Sequence, residues 1–598
     1  MAGNGRVERP AVRGRFDSDE RTIYAARARR LGLPFASVVH LGPEGAVGGD
    51  VAAIRNGSYA MAAGGNRALY MAPEEDTIRR IENWLDAHPL ARDRLYVATP
   101  SAIRTGLIEA GAKQFLDSAI NSLDTTHPQF SARIVATRRQ AVVGPMLALA
   151  MGAALCVDWR ATMLALSVAA AIFFIVASAL RLVAAVRVCR DAPPRGRPAT
   201  GIAEADLPIY SVLVPLYREA GVAADLIAAL GQLDWPAERL DIKLIVEADD
   251  AKTRQAVEAA APGPPFEIVV VPAARPRTKP KALNFALPLA RGRYVTVYDA
   301  EDRPHPGQLR EAYATFERSL PALACLQAPL IIDNGQASGL ARFFAVEYSA
   351  LFDGLLPALA RLDLPVPLGG TSNHFRREAL EAVGGWDPYN VTEDADLGLR
   401  LSRMGFRTKT IRLPTFEEAP TEFVPWLKQR SRWFKGWMQT VLVHSRQPLR
   451  LGHDLGTRRL CGFLLVSVGM IVSALIHPVY LATLVLVATR PVSLWGNGPI
   501  VTTILAINLC NLVGGYLAAM FLASQTLRRR DRAVDAATIA ALPVYWLLIS
   551  LACYRALFQL VVRPHHWEKT PHRVRGRRLR AVRRKPAAAV EPRYRPAN

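Results

Sequence analysis

The segment GRYVTVYDAED, residues 292–302, is a run of β-branched and aromatic residues with a glycine at one end and three carboxylates at the other. Such a run predicts a buried strand that delivers Asp299, Glu301 and Asp302 to its carboxyl end. Three carboxylates within four residues repel one another unless a cation or an arginine compensates them. The same design recurs upstream in PIYSVLVPLYRE (208–219), DIKLIVEADD (241–250) and FEIVVVP (266–272), with helical stretches such as 221–233 between them. Strands alternating with helices predict an α/β fold, with a mostly parallel, doubly wound sheet. Ligands of such sheets bind outside the carboxyl ends of the strands, where Glu219, Asp249, Asp250 and Asp299 fall.

Downstream, GGTSNHFRREALEAVGGWDP (369–388) leads into Thr392-Glu393-Asp394, which opens a helix with Leu397, Leu401 and Met404 on its apolar face. A carboxylate at a helix start is favoured by capping and by the helix dipole, which accounts for one acid but not for its company. FVPWLKQRSRWFKGWMQ (423–439) is amphipathic, aromatic and basic, the composition of an interfacial membrane helix. It carries Gln429, Arg432 and Trp433.

Outside 205–450 the composition changes. Of the 598 residues 51% are hydrophobic. Apolar runs at 141–157 and 161–186, parted by Asp158-Trp159-Arg160, are each long enough to cross a bilayer and predict a transmembrane hairpin over 140–188. Three more, at 461–487, 500–523 and 536–562, predict C-terminal membrane helices within 460–562. The formal net charge is +22. The basic residues at the exit of the hairpin and the tail 563–598, with twelve Lys/Arg against two Glu, suit a flank lying against anionic lipid. No nucleic-acid motif accompanies this charge, so nucleic acid is not an expected partner. The six cysteines form no C-x-x-C pair, and four lie in apolar runs, which excludes a disulfide or thiolate-metal framework. The opening residues are polar and Arg-rich, without the apolar core of a signal peptide. RDAPPRGRPATG (190–201) reads as a linker.

Residues 1–139 predict a separate small α/β domain: a helix around RTIYAARARR (21–30), helical periodicity in PEEDTIRRIENWLDAH (73–88), and a strand then a helix in RLYVATPSAIRTGLIEAG (94–111). This order resembles the N-terminal domain of type II secretion ATPases, a module that binds cyclic di-GMP in some proteins. The resemblance implies a regulatory domain that senses that nucleotide, or one that docks an export partner protein.

The ordered set VPLYRE, ADD, DAED, TED and QRSRW, spanning about 211–440, resembles the processive family-2 glycosyltransferases, the group of cellulose, hyaluronan and chitin synthases. The resemblance implies a GT-A-type catalytic domain inserted between transmembrane helices of a bacterial inner membrane, facing the cytoplasm. Its implied chemistry is inverting, metal-dependent transfer from a nucleotide-diphosphate sugar to a growing β-linked polysaccharide. By position, Asp249 and Asp250 would contact the nucleoside and Lys281 the nucleotide or diphosphate. Asp394 would be the general base, beside Glu393. Gln429, Arg432 and Trp433 would hold the diphosphate and stack the acceptor sugar, and Asp299 would bind Mg²⁺ or Mn²⁺. The family's D-x-D is here Asp299-Ala300-Glu301 with Asp302 following, so either Glu301 or Asp302 would be the second metal ligand. The competing expectations are single-sugar transfer to a lipid carrier and an inactive signalling protein.

Overall fold

A computed structural model describes residues 15–41, 57–61, 68–191, 204–260, 263–489, 498–530, 532, 535–566 and 568. Most of the expected linker and of the basic tail lies outside the described residues.

The central sheet has seven strands: β1 Tyr210–Leu216, β2 Leu240–Glu247, β3 Phe266–Val271, β4 Tyr294–Val297, β5 Leu323–Gln327, β6 Asn373–Arg376 and β7 Arg407–Thr410, in the order β7-β5-β6-β4-β1-β2-β3. β4, β1, β2 and β3 are parallel, as expected of strands linked by helical crossovers. The expectation of a doubly wound, mostly parallel sheet needs one correction. β6 is inserted antiparallel between β4 and β5, with Asn373 opposite Val297, so the sheet is mixed. This insertion places the Gly369–Ser372 turn directly above the carboxyl end of β4. A three-stranded sheet (Arg303–Pro304, Leu330–Ile332, Thr415–Glu417) lies beside it and brings Glu417 and Glu418 toward the same end.

β2 is buried along its whole length although it carries Asp241 and Lys243. Lys243 lies 3.0 Å from Asp241 and 2.6 Å from Glu267, and Arg291 reaches Asp241 at 3.0 Å. Mutual pairing makes this charge burial tolerable.

The N-terminal residues form a four-stranded sheet with helices Arg15–Leu31, Ile78–Ala87 and Pro100–Thr126. The last of these packs on the helix Lys279–Ala286, which follows β3. Phe115 meets Phe285 edge-on at 6.3 Å, and Arg104 reaches Glu267 at 3.6 Å.

Among the described residues five helices are long and apolar enough to cross a membrane: Arg138–Arg190, Gly339–Arg361, Pro448–Leu486, Pro499–Arg529 and Leu542–Val562. Arg138–Arg190 leaves helical geometry only at Asp158, whose carboxylate caps the following turn at Ala161 N (3.0 Å). Leu542–Val562 packs along the helix Phe423–His444. Near its start Tyr545 donates to Glu347 (3.1 Å) and accepts from Trp426 (3.3 Å). Beyond its end Gln439 donates to the Pro564 carbonyl (2.9 Å) and Lys435 to that of His566. The preceding segment is held too, through Arg530–Asp353 (2.6 Å) and Asp535–Arg342 (3.2 Å). Both flanks of this helix therefore rest on residues 342–439, while Leu551, Phe558 and Val561 stay exposed on its outer face.

Candidate active site

Hydrophobic burial of β1, β2 and β4 fixes where their carboxyl ends stop, and the chain turns there into polar loops. After β4, Asp299 N donates to Asp302 Oδ2 (2.7 Å) and, more weakly, to Thr371 Oγ1 (3.3 Å). Thr371 Oγ1 donates to the same carboxylate. Asp302 is thus 1% exposed and builds the turn. Asp299 and Glu301 face a cavity of about 690 Å³.

The helix Glu393–Arg403 brings Glu393 and Asp394 to the opposite wall. The gap is spanned by Gly370, where a Cβ would stand 3.7 Å from Asp394 Oδ2 and 3.9 Å from Asp299 Oδ2. A tight contact sets the position of this helix. A Cβ on Gly436 would lie 2.2 Å from Thr392 Oγ1, so only glycine lets the helix Phe423–His444 approach the Thr392-Glu393-Asp394 turn. Gln439 accepts from Val391 N (3.1 Å) and Thr440 from Asn390 (3.0 Å), locking the two motifs together.

Lys279 reaches into the acidic gap, 2.6 Å from Asp299 Oδ1, and donates to the Gly370 carbonyl. Burial opposes its charge, but Asp299, Asp394 and Glu393 hold its pKa above the ordinary lysine value. Burial and the Asp299 charge push the Glu301 carboxyl up to about 8. Burial, reinforced by Glu393, raises Asp394 well above the usual carboxylate range, against the pull of Lys279 and a hydrogen bond from Trp386 Nε1 (3.3 Å). Burial raises Glu417 as well, with Asp302, Glu301 and Asp299 adding to it. The site is short of positive charge.

Among the described residues no three metal-ligating side chains converge into a finished ligand set. The donor chemistry nevertheless fits a hard divalent cation, since Asp299 and Glu301 offer carboxylate oxygens on one wall and Glu301 is held in need of a compensating charge. Asp302 is already committed to Asp299 N and Thr371.

Of the residues singled out from sequence, Glu219, Asp299, Glu301, Glu393, Asp394, Gln429, Arg432 and Trp433 line this one cavity. The Gln429 Oε1 atom is buried and has no hydrogen-bond partner among the described residues. Trp433 stacks near Tyr348 (6.3 Å) with the Arg430 guanidinium 4.7 Å from its ring. Asp249, Asp250, Lys281 and Asp302 do not line it. Asp249 pairs with Arg277 at 2.6 Å near the rim, and Asp250 caps the helix Ala251–Ala259 through Thr253 N (3.3 Å). Lys281 is fully buried and paired with Glu247 at 2.8 Å, so the lysine facing the acidic gap is Lys279, two residues earlier. Both lie in the first turn of one helix, and the sequence holds no signal for which of them turns inward.

Sequence reasoning also missed Asn284 and Trp386. Asn284 Nδ2 donates to the Trp386 carbonyl (2.7 Å) and to the Ala119 carbonyl of the N-terminal helix (3.2 Å). Its Oδ1 accepts from Trp386 N (3.0 Å), and the Trp386 indole then meets Asp394.

This carboxylate-lined cleft lies at the strand ends of a mixed α/β sheet, and residues 294–522, which include most of its walls, match the family model described as glycosyl transferase family group 2. Among curated proteins the chain is 26% identical over 254 residues to a probable glycosyltransferase, YdaM, of Bacillus subtilis, covering 41% of this chain and 59% of that one. It is 27% identical over 271 residues to the beta-monoglucosyldiacylglycerol synthase of Trichormus variabilis (45% and 56%), and 29% identical over 267 residues to cellulose synthase 2 of Novacetimonas hansenii (43% and 16%). The chain thus spans little more than half the length of the first two and under a fifth of the third. Among solved structures, the mannosyltransferase PcManGT of Pyrobaculum calidifontis aligns with 67% of this chain and 98% of its own, at 17% identity and a TM-score of 0.39.

Proposed function

We propose that this chain transfers a sugar, with inversion, from a nucleotide-diphosphate sugar to an acceptor hydroxyl at a bacterial inner membrane, extending a β-linked polysaccharide. The observation that carries the reading is the opposition of Asp394 and Asp299 across Gly370, at the mouth of a cavity that continues between the membrane helices. The buried Asp394 carboxylate, oriented by Trp386, takes the proton of the acceptor hydroxyl as that oxygen attacks the anomeric carbon. One in-line displacement converts an α-linked donor into a β-linked product.

Lys279 and Arg432 line the donor side, where positive charge is needed as the diphosphate departs. A divalent cation held by Asp299 and Glu301 would add to that charge. Trp433 offers an aromatic face to the acceptor, and Gln429 an unsatisfied carbonyl to one of its hydroxyls. Residues 1–139 would serve as a regulatory or docking domain for this site, through the helix that carries Ala119.

A second reading, transfer of a single sugar to a lipid, is favoured by the apolar character of the membrane-side walls, which include Phe173, Phe174 and Leu512. Incubating membrane vesicles with a panel of UDP-sugars and analysing product mass and linkage separates the two. Chains of many sugars support polymerisation, a glycolipid of one added sugar supports the second reading, and neither product with any donor overturns both.

A further inference from the structure

The cavity does not end at the carboxylates. On the helix Arg138–Arg190, the positions Phe173, Phe174, Ala177, Ser178 and Arg181 recur at helical spacing and form one wall of its membrane-side part. The helix Pro499–Arg529 supplies the facing wall, with Asn508, Leu512, Gly515, Ala519 and Leu522. The two are in close contact, as a Cβ at Gly515 would lie 3.2 Å from Ser178 Oγ. Most polar groups on these walls are already satisfied. Asn511 donates to the Ala171 carbonyl (3.1 Å), Asn508 to that of Ser167 (3.3 Å), and Tyr516 meets His477 at 3.3 Å.

Arg181 is different. The other cations lining the cavity have carboxylates: Lys279 has Asp299, Arg277 has Asp249 and Arg430 has Glu347. Arg432 lies among the carboxylates of the catalytic end, with Glu393 and Asp299 acting on its charge. Arg181 makes no hydrogen bond or ion pair among the described residues. It lies six residues, about 9 Å, inward of Arg187 on a helix apolar enough to span a bilayer. An ionisable side chain at such a depth, turned to a cavity and lacking a partner, is costly unless a ligand completes it.

We propose that Arg181 binds the phosphate of an anionic lipid that enters the membrane-side part of the cavity, with its hydrocarbon against Phe173, Phe174 and Leu512. The required ligand combines an anion with an apolar body. An anion is matched by the fork of the guanidinium, which can engage two oxygens at once. The apolar walls match hydrocarbon and offer little to a soluble ion. At the opposite end of the cavity the cations Lys279 and Arg432 already face Asp299 and Glu393, which leaves Arg181 to meet an anion in the membrane-side part. The inference rests on the proposed acceptor cavity only for its location, and lipid binding requires no turnover.

The test uses the full chain in nanodiscs and in detergent. Native mass spectrometry would count retained phosphatidylglycerol and diacylglycerol on the wild type, Arg181→Gln, Arg181→Lys and Arg190→Gln, the last an exposed cation at the end of the same helix. The expected result is retention of phosphatidylglycerol over diacylglycerol by the wild type and by Arg190→Gln. Arg181→Gln should lower that retention about tenfold or more, the scale of a lost charge-assisted hydrogen bond, with partial recovery in Arg181→Lys. Equal retention by Arg181→Gln, or a wild-type preference for diacylglycerol, overturns the proposal. Thermal stabilisation by inorganic phosphate equal to that by phosphatidylglycerol overturns it in favour of a soluble-anion site. Should Arg181→Gln fail to accumulate, the wild-type lipid preference and Arg181→Lys still decide. Donor hydrolysis measured on the same preparations reports on the proposed function separately, since a chain that binds lipid at Arg181 but consumes no nucleotide sugar refutes only that function.

Discussion

Replacing Trp386 with phenylalanine removes one atom group of consequence, the indole N–H that donates to Asp394 Oδ1 at 3.3 Å. Trp386 is fully buried and its ring meets Phe375 edge-on at 6.0 Å, a contact that phenylalanine largely keeps. The backbone bonds to Asn284 are untouched by the change. A hydrogen bond to a charged group contributes about 1.5–3 kcal/mol, and a separation near the long end of the range argues for the lower figure. At about 1.4 kcal/mol per pKa unit, losing it raises the Asp394 pKa by about one unit. The direction is set by the state that the bond favours: the indole stabilises the carboxylate, so its loss favours the protonated acid. A general base is active only when deprotonated. The acidic limb of the pH–rate profile should therefore move up by about one unit, with turnover about tenfold lower well below the pKa and little changed on the plateau. The assay is nucleotide release from the donor against pH, with Asp394→Asn as the blank. A limb that stays in place while the plateau falls would refute the reasoning, because Trp386 would then act on packing and not on the charge of Asp394.

Asp394→Asn itself should lower turnover by about 10²–10⁴-fold while donor binding, followed by titration calorimetry, persists. Asp299→Ala and Glu301→Ala should each weaken Mg²⁺- or Mn²⁺-dependent donor binding. Asp302→Asn should instead lower the melting temperature, and unchanged metal dependence in the first two rejects the assigned ligands. Lys281→Met leaves Glu247 buried without its partner and should cost about 3 kcal/mol of stability, whereas Lys279→Met should weaken donor binding with a smaller thermal effect; reversal of that order in paired melting and binding curves would contradict the placement of the two lysines. Burial works against the charge of Asp396, but Arg400 (2.7 Å) and His444 (2.9 Å) hold its pKa below the ordinary value. Its contribution to stability should be complete above about pH 4 and lost as pH falls through the depressed pKa, so the acid limb of a melting-temperature profile should flatten in Asp396→Asn.

β1 to β4 were legible because each is a short, largely apolar run, and the acidic residues after β1, β2 and β4 because a strand must end in something that tolerates water. β6 was not legible. HFR is too short and too polar to announce itself, and its antiparallel seat comes from pairing with β4, a contact made across more than seventy residues of chain. The same holds for the site. Asp299, Glu301 and Asp394 could be singled out because their type and local spacing are unusual. The choice between Lys279 and Lys281 depends on which face of a helix meets Glu247, which is a property of β2. Asn284 and Trp386 look like ordinary helix and turn residues, and their roles exist only once the helix Pro100–Thr126 has docked. Lys243 in the buried β2 reads as a disruption of the strand until Asp241, Glu267 and Arg291 are seen around it.

The helix Leu542–Val562 has its two flanks fastened to residues 342–439 and an exposed apolar face, with Leu551, Phe558 and Val561, of the kind that a bilayer covers. A helix held in this way acts as a lever between the lipid and the enzyme. Lateral pressure or a change in bilayer thickness that tilts it must also move its companion, Phe423–His444, which carries Gln429, Arg432 and Trp433 and, through Gly436, abuts Thr392. The rate of sugar transfer would then respond to the mechanical state of the membrane as well as to the supply of donor, and stretching or thinning the bilayer would tune synthesis with no messenger in between.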